Sequence, residues 1–299
     1  MSTATLEAAT ETVTLYWIPG CGNCTRLKGY LATNGVAFEA VNLMDDLDAL
    51  EDMKKRGIGG LPVVRKGDRW ENGFDLTRID ALLGLSGKRA GEARILSSGE
   101  LCARMSRILE VAAQAASLVP KARHDDPTPT MEGFKAPFLF MRDGTPYIPH
   151  CTTKSLFIHL TGHGEKFHRL ALAADGTYEM GFRFAVDAGE GALRIDGEET
   201  AFGEVDLATP LYRVVMQAEL LAKDIRVWGK AHPEADLSRV IMAHYGERTT
   251  AQLMQTMLCS VAQHTRQMLQ VVESLGLTPP ARIDPADLEG LQMPTGVWQ

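Results

Sequence analysis

The chain of 299 residues has no apolar run near the roughly 18 residues that a membrane helix needs. Residues 1–13 contain two glutamates, no lysine or arginine and no apolar core, so they do not resemble a signal peptide. Neither part of the chain is basic, since the net charge of −7 is shared between residues 1–86 (9 basic, 12 acidic) and the remainder (22 basic, 26 acidic). These absences argue against membrane and nucleic-acid partners, and we expect a cytoplasmic location.

Cysteine is also scarce. The chain has five cysteines, an odd number that does not indicate a disulfide framework, and only Cys21 and Cys24 are close in sequence. This C-x-x-C follows a β-branched and aromatic segment at 13–18 and precedes an apolar helical pattern at 24–34. In that position it predicts a thioredoxin-like redox motif, because a helix N-terminus stabilises a thiolate. We predict that Cys21 is the nucleophile and that Cys24 resolves the mixed disulfide.

The segments after this motif complete a small α/β domain over residues 1–84. The patterns predict a strand at 36–43, a helix at 45–56, strands at 61–65 and 69–71, and a helix at 75–83. The resulting order is β-α-β-α-β-β-α. Pro62 stands at the start of the third strand, and the Leu61–Pro62 bond is the candidate for a cis peptide opposite the C-x-x-C.

Three stretches of this domain resemble the glutaredoxin family: PGCGNC at 19–24, GLPVV at 60–64 and NGFD at 72–75. The resemblance implies a thiol–disulfide oxidoreductase or glutathione transferase with glutathione as its cofactor. It also implies a binding site for the thiol and for the glutamyl end of glutathione. The residues expected to form that site are Leu61, Pro62, Gly73, Phe74 and Asp75.

Metal binding by the C-x-x-C is the alternative. With no second C-x-x-C, a four-cysteine zinc site within one chain is excluded. A [2Fe–2S] cluster bridging two chains of a homodimer stays open.

A glycine-rich linker at 85–99 separates the first domain from a second, mainly helical domain at 100–275. Apolar spacing predicts four main helices, at 100–118, 153–173, 209–229 and 248–275. The connecting segments are interpreted as a long loop at 120–151, a small hairpin at 177–200 and a proline-rich tail at 276–299. The expected fold class is an α/β thioredoxin-like domain followed by a mainly α four-helix bundle.

The bundle resembles the DinB-like superfamily in two stretches, residues 153–160 and 259–267. The resemblance implies a metal site formed by histidines of the second and fourth helices, in a transferase or isomerase that uses low-molecular-weight thiols. Ser260 stands where the family has a histidine, so we expect His163 to complete the set with His159 and His264. The expected metal is a divalent ion such as zinc, which prefers imidazole ligands. Packing in the core is the alternative for these histidines.

Three functions are consistent with the sequence. The first is a thiol- or glutathione-dependent oxidoreductase whose bundle binds a small-molecule thiol or thiol conjugate. The second is a metal-dependent thiol transferase or isomerase in the bundle, with the first domain supplying or regenerating thiol. The third is a non-enzymatic redox sensor or cluster-binding module. We expect a ligand pocket at His159, His264 and the 120–151 loop.

Overall fold

The computed structural model describes residues 11–18, 21–56, 58, 61–74, 76–85, 94–128, 140–142, 145–147, 152–177, 182–183, 194–195, 198–199, 209–243, 246–291, 293 and 296–298. Within these residues no helix combines the length and the apolar character that a membrane span requires.

The N-terminal domain has the predicted order of elements. They are β1 (Val13–Trp17), α1 (Gly22–Thr33), β2 (Phe38–Asn42), α2 (Leu47–Lys55), β3 (Val63–Lys66), β4 (Arg69–Asn72) and α3 (Leu76–Leu83). The strands form one mixed sheet in the order β2-β1-β3-β4, with β1 parallel to β2 and antiparallel to β3. This arrangement fits the predicted thioredoxin-like fold.

Helices cover both faces of this sheet because β1 alternates its side chains between them. Leu15 packs with Leu27 of α1 and Ile79 of α3. Tyr16 packs on the opposite face with Met53 of α2. Two small cores therefore hold β1 at the centre of the sheet, and the end of β1 leads directly into the cysteine motif.

The described residues of the C-terminal domain contain four long helices, as predicted. They are α4 (Ser98–Ser117), α5 (Thr153–Ala174), α6 (Leu211–Ala231) and α7 (Thr250–Ser274). Three of them begin with a capping box, in which the N-cap side chain and the residue three positions later satisfy each other's backbone N–H groups. Helix α4 packs on α6 and α5 packs on α7, around one large apolar core.

The segments between these helices differ in part from the expectation. The predicted loop at 120–151 contains a 3-10 turn at Lys121–Arg123 and an antiparallel pair, β5 (Phe140–Arg142) and β6 (Thr145–Tyr147), so the interpretation as a loop is wrong there. The predicted hairpin at 177–200 is a three-stranded antiparallel sheet of β7 (Phe182–Arg183), β8 (Arg194–Ile195) and β9 (Glu198–Glu199). The hairpin of β10 (Val240–Ala243) and β11 (Gly246–Thr249) was not predicted. Strands of two to four residues are too short to show a clear alternation of apolar and polar side chains. The Pro, Gly and Asp residues beside them therefore dominate the pattern and favour a loop.

Both segments that flank the bundle pack against it where they are described. Leu96, inside the predicted linker, is buried, and its N–H donates to Gln255 Oε1 of α7 at 3.1 Å. The tail forms a short helix, α8 (Pro285–Leu288), whose Asp287 carboxylate accepts from the guanidinium of Arg107 in α4. The helical body therefore begins before residue 100 and extends beyond residue 275.

Candidate functional site

Cys21 and Cys24 lie at the N-terminus of α1, immediately after the central strand. They form a disulfide with their Cα atoms 5.2 Å apart. Cys21 is the N-cap residue, and its Sγ accepts from the Cys24 N–H at 3.2 Å. Unpaired N–H groups and the helix dipole at this position favour a negative charge on that sulfur.

The two sulfurs differ in their access to solvent. Cys21 is partly exposed, whereas Cys24 is completely buried. A disulfide in solution can therefore approach Cys21 and not Cys24. The geometry agrees with Cys21 as the attacking residue and Cys24 as the resolving one.

The Leu61–Pro62 peptide bond is cis, as predicted. Tyr16 of β1 pairs with Val63 of β3 in the antiparallel register, so Pro62 lies beside Trp17 at the end of β1 that leads to Cys21. The Pro62 carbonyl accepts from the Gly73 N–H at 2.8 Å. Leu61, Pro62 and Gly73 are thus brought together at the end of the sheet where the cysteine motif begins.

Phe74 links this end of the sheet to α1 through a contact with Arg26. The guanidinium of Arg26 lies 4.3 Å from the centre of the Phe74 ring, and it also donates to Asn23 Oδ1 at 3.1 Å. Gly73 has a φ of 82°, which favours glycine and directs the chain toward α3. Asp75, predicted to belong to this site, lies outside the described residues.

The cysteine motif has a second cation nearby on α1. Lys28 follows Cys24 by one helical turn, and its Nζ lies 2.9 Å from the centre of the Trp17 ring. Burial lowers the pKa of Lys28 to about 8, so at pH 7 most of this amine is still protonated. Arg26 and Lys28 therefore place positive charge along the helix that carries Cys21, which favours thiolates and substrates with carboxylates.

The three predicted histidines of the bundle meet between α5 and α7. Their potential ligand atoms all lie within 4.8 Å of one another. The Nε2 atoms of His159 and His163 are 3.1 Å apart. Two nitrogens bound to one zinc at about 2.0–2.1 Å in a tetrahedron are roughly 3.4 Å apart, so this pair fits a shared metal.

His264 is the buried member of the set. Its Nδ1 lies 2.7 Å from Gln267 Oε1, and burial lowers its pKa although the hydrogen bond to Gln267 opposes this. The ring is therefore neutral at pH 7, the form in which an imidazole can bind a metal. A catalytic zinc site has three protein ligands, such as three imidazoles, and its fourth position is left for water or substrate. The three histidines present here fit that ion.

Two neighbours of these histidines were not assigned a role from the sequence. Met257 of α7 is one of them, and its Sδ lies 3.3 Å from His163 Nδ1. Gln267 lies on the same face of α7 as His264, three residues later, and that spacing was the available signal. The predicted contribution of the 120–151 loop falls mostly outside the described residues.

Comparisons with known proteins bear on the first domain. Residues 13–70 match the family model described as Glutaredoxin. An uncharacterized glutaredoxin-like 8.6 kDa protein in the rubredoxin operon of Clostridium pasteurianum is 31% identical over 72 residues, which cover 96% of that protein and 24% of this chain. No solved structure matches the chain. The DinB-like identity of the helical body stays a prediction.

Proposed function

Since the chain belongs to the glutaredoxin family through its N-terminal domain, we propose that it is a thiol–disulfide oxidoreductase acting through Cys21 and Cys24. The observation that carries the proposal is the asymmetry of the pair: a partly exposed sulfur at a helix N-terminus beside a buried one. This is the arrangement that separates an attacking thiolate from a resolving thiol.

The reaction transfers two electrons from the protein to the substrate. The Cys21 thiolate attacks one sulfur of a substrate disulfide, which forms a mixed disulfide and releases one thiol. Cys24 then loses its proton and attacks Cys21 Sγ, which closes the Cys21–Cys24 bond and releases the second thiol. Each departing thiolate takes up a proton. Two molecules of an external thiol such as glutathione then reduce the Cys21–Cys24 bond to the dithiol and are themselves joined as a disulfide.

The proposed substrate is a disulfide of glutathione or of another small thiol that carries carboxylates. The backbone of Leu61, set by the cis bond to Pro62, would pair with the thiol, and the Phe74 N–H, with Asp75, would hold its glutamyl end. Gly73, whose N–H donates to the Pro62 carbonyl, would shape the turn that presents these groups. The guanidinium of Arg26 over Phe74 supports this assignment, since it places a cation beside the segment that would receive a carboxylate.

Serine variants of the two cysteines test this function. The assay is the release of thiol from a mixed disulfide of glutathione, with excess glutathione as reductant. Cys21→Ser should lose activity by about a hundredfold or more, because the remaining Cys24 thiol is buried. Cys24→Ser should keep activity on the glutathione disulfide, since external glutathione can replace the resolving step, and lose it on a protein disulfide. Cys259→Ala, which alters a buried thiol of the bundle, is the matched control and should retain full activity. Unchanged turnover in Cys21→Ser would refute the proposal.

The helical body carries a second candidate function, a zinc-dependent thiol transferase or isomerase. The observation that favours it is the convergence of His159, His163 and His264 from two helices. Zinc bound there would lower the pKa of a thiol at its open position, so that a thiolate forms at neutral pH. The histidines would hold the ion, and the first domain would supply or regenerate the thiol.

Metal analysis tests the second function. Protein purified without chelator should contain about one zinc per chain, and His264→Ala should contain almost none. His124→Ala is the control, because His124 bonds to the carbonyl of Val119 and is not part of the three-histidine set. A wild-type protein that neither contains nor takes up zinc would exclude this function and leave the oxidoreductase proposal intact.

A further inference from the structure

Gln267 has both ends of its side chain engaged. It is buried, with 1% of its surface exposed. Its Nε2 donates to the carbonyl of Val297 at 3.0 Å, and its Oε1 lies 2.7 Å from His264 Nδ1. The C-terminal segment 296–298 is thereby connected through one side chain to the three-histidine set.

These contacts determine which nitrogen of His264 carries a proton. A backbone carbonyl can only accept, so the amide of Gln267 must direct its NH2 group to Val297 and its oxygen to His264. An amide oxygen also only accepts, and the hydrogen on His264 must therefore be at Nδ1. The lone pair of the ring is left at Nε2.

His163 is oriented in the same way by another acceptor. Its Nδ1 faces Met257 Sδ at 3.3 Å, and a thioether sulfur has no hydrogen to donate. The hydrogen of His163 is thus at Nδ1 and its lone pair at Nε2, which is the atom 3.1 Å from His159 Nε2. Two of the three histidines have the same tautomer, each fixed by a residue outside the set.

We infer that Gln267, whose amide is oriented by the Val297 carbonyl, is a positioning residue that keeps the hydrogen of His264 at Nδ1 and leaves the Nε2 lone pair for the metal. The inference rests on the proposed zinc centre. Hydrogen bonds that orient metal-binding histidines contribute about 10- to 100-fold to metal affinity. The sequence pattern does not predict the contact between Gln267 and Val297, because Val297 takes part through its backbone.

Gln263 offers a matched comparison. It lies one turn before Gln267 on α7, is buried to a similar degree, and donates to the same Val297 carbonyl at 2.6 Å. Among the described residues, the other hydrogen bonds of its side chain are with Gly296 and Arg266, and none is with the His264 ring. Gln263→Leu therefore loosens the tail without removing the acceptor for His264 Nδ1, whereas Gln267→Leu removes both.

Zinc affinity, measured by competition with a chromophoric chelator, is the first readout. Gln267→Leu should bind zinc 10- to 100-fold more weakly than wild type. Gln267→Glu keeps an acceptor for His264 Nδ1 although it loses the donor to the Val297 carbonyl, and it should stay within about threefold, as should Gln263→Leu. If wild type binds zinc and Gln267→Leu binds it equally well, the positioning role is refuted while the zinc centre stands.

The second readout is the nitrogen chemical shift of the His264 ring in metal-free protein, which reports the tautomer directly. Wild type and Gln267→Glu should show hydrogen at Nδ1, and Gln267→Leu should show a mixture or hydrogen at Nε2. Unchanged hydrogen at Nδ1 in a folded Gln267→Leu protein overturns the inference. If wild type binds no zinc but the tautomer still depends on Gln267, the zinc centre fails and only the orienting contact survives.

Discussion

Gly229 of α6 packs tightly against Cys102 of α4, and replacing that glycine with alanine should destabilise the protein. A Cβ at Gly229 would overlap the Cβ of Cys102 in α4 and lie 3.2 Å from its Sγ. Carbon atoms in contact are about 3.5–4.0 Å apart, so the two helices would have to separate. Cys102 is fully buried, and a rotamer change cannot relieve the overlap because its Cβ is fixed to the backbone.

The expected size of the effect follows from two opposing contributions. Overpacking a dense core costs about 1–3 kcal/mol, and an overlap between two Cβ atoms fixed to helices belongs at the upper end. Alanine gains about 1 kcal/mol over glycine in a helix. Gly229→Ala should therefore lower the free energy of unfolding by about 2 kcal/mol. Gly162→Ala in α5, where a Cβ meets nothing within 4 Å, should raise it by roughly 0.5–1 kcal/mol.

Urea unfolding followed by helical circular dichroism measures both variants. With a slope of about 2–3 kcal/mol/M, the two midpoints should lie about 1 M apart, on opposite sides of wild type. Cys102→Ala should not rescue Gly229→Ala, because it keeps the Cβ, whereas Cys102→Gly should restore part of the loss. A Gly229→Ala protein as stable as the Gly162→Ala protein would refute the predicted helix contact.

Two further predictions concern single ionisable groups. Burial lowers the pKa of Lys28 from 10.5 to about 8, so the folded protein releases this proton before the unfolded chain does. The free energy of unfolding should therefore contain a component that increases between about pH 8 and 10.5, and Lys28→Met should lack it in unfolding titrations across that range. Burial raises the pKa of the Cys102 thiol to about 12, so iodoacetamide at pH 8 should alkylate Cys21 of the reduced protein and leave Cys102 unmodified. Rapid modification of Cys102 in peptide mapping would contradict its burial.

The elements of the first domain could be predicted because each has a strong local signal. Leu27 and Leu31 lie on the buried face of α1. Leu15 and Tyr16 are neighbours in β1 that pack into two different cores, as expected for a strand with helices on both faces of its sheet. Helix α1 nevertheless begins two residues earlier than its apolar pattern, since Cys21 acts as the N-cap. A cysteine is not among the usual capping residues, so the apolar pattern alone did not indicate this start, although the C-x-x-C motif placed Cys21 at a helix N-terminus.

The three-histidine set could be predicted only in part from the sequence. The spacing of His159 and His163 predicts that they share a helix face, but the meeting with His264 depends on how α5 packs against α7. The role of the tail could not be predicted, because the Val297 carbonyl is a backbone group that every residue carries. Side-chain patterns report secondary structure and burial, whereas contacts of the backbone appear only once the chain is folded.

The most direct test of the central claim is to identify which cysteine forms the mixed disulfide. Cys24→Ser protein is mixed with glutathione disulfide, quenched with acid and mapped by peptide mass spectrometry. The exposure of Cys21 and its place at the start of α1 predict a glutathione adduct on Cys21. No adduct on Cys21, or an equally rapid adduct on Cys24 in the Cys21→Ser protein, would contradict the assignment of nucleophile and resolving thiol.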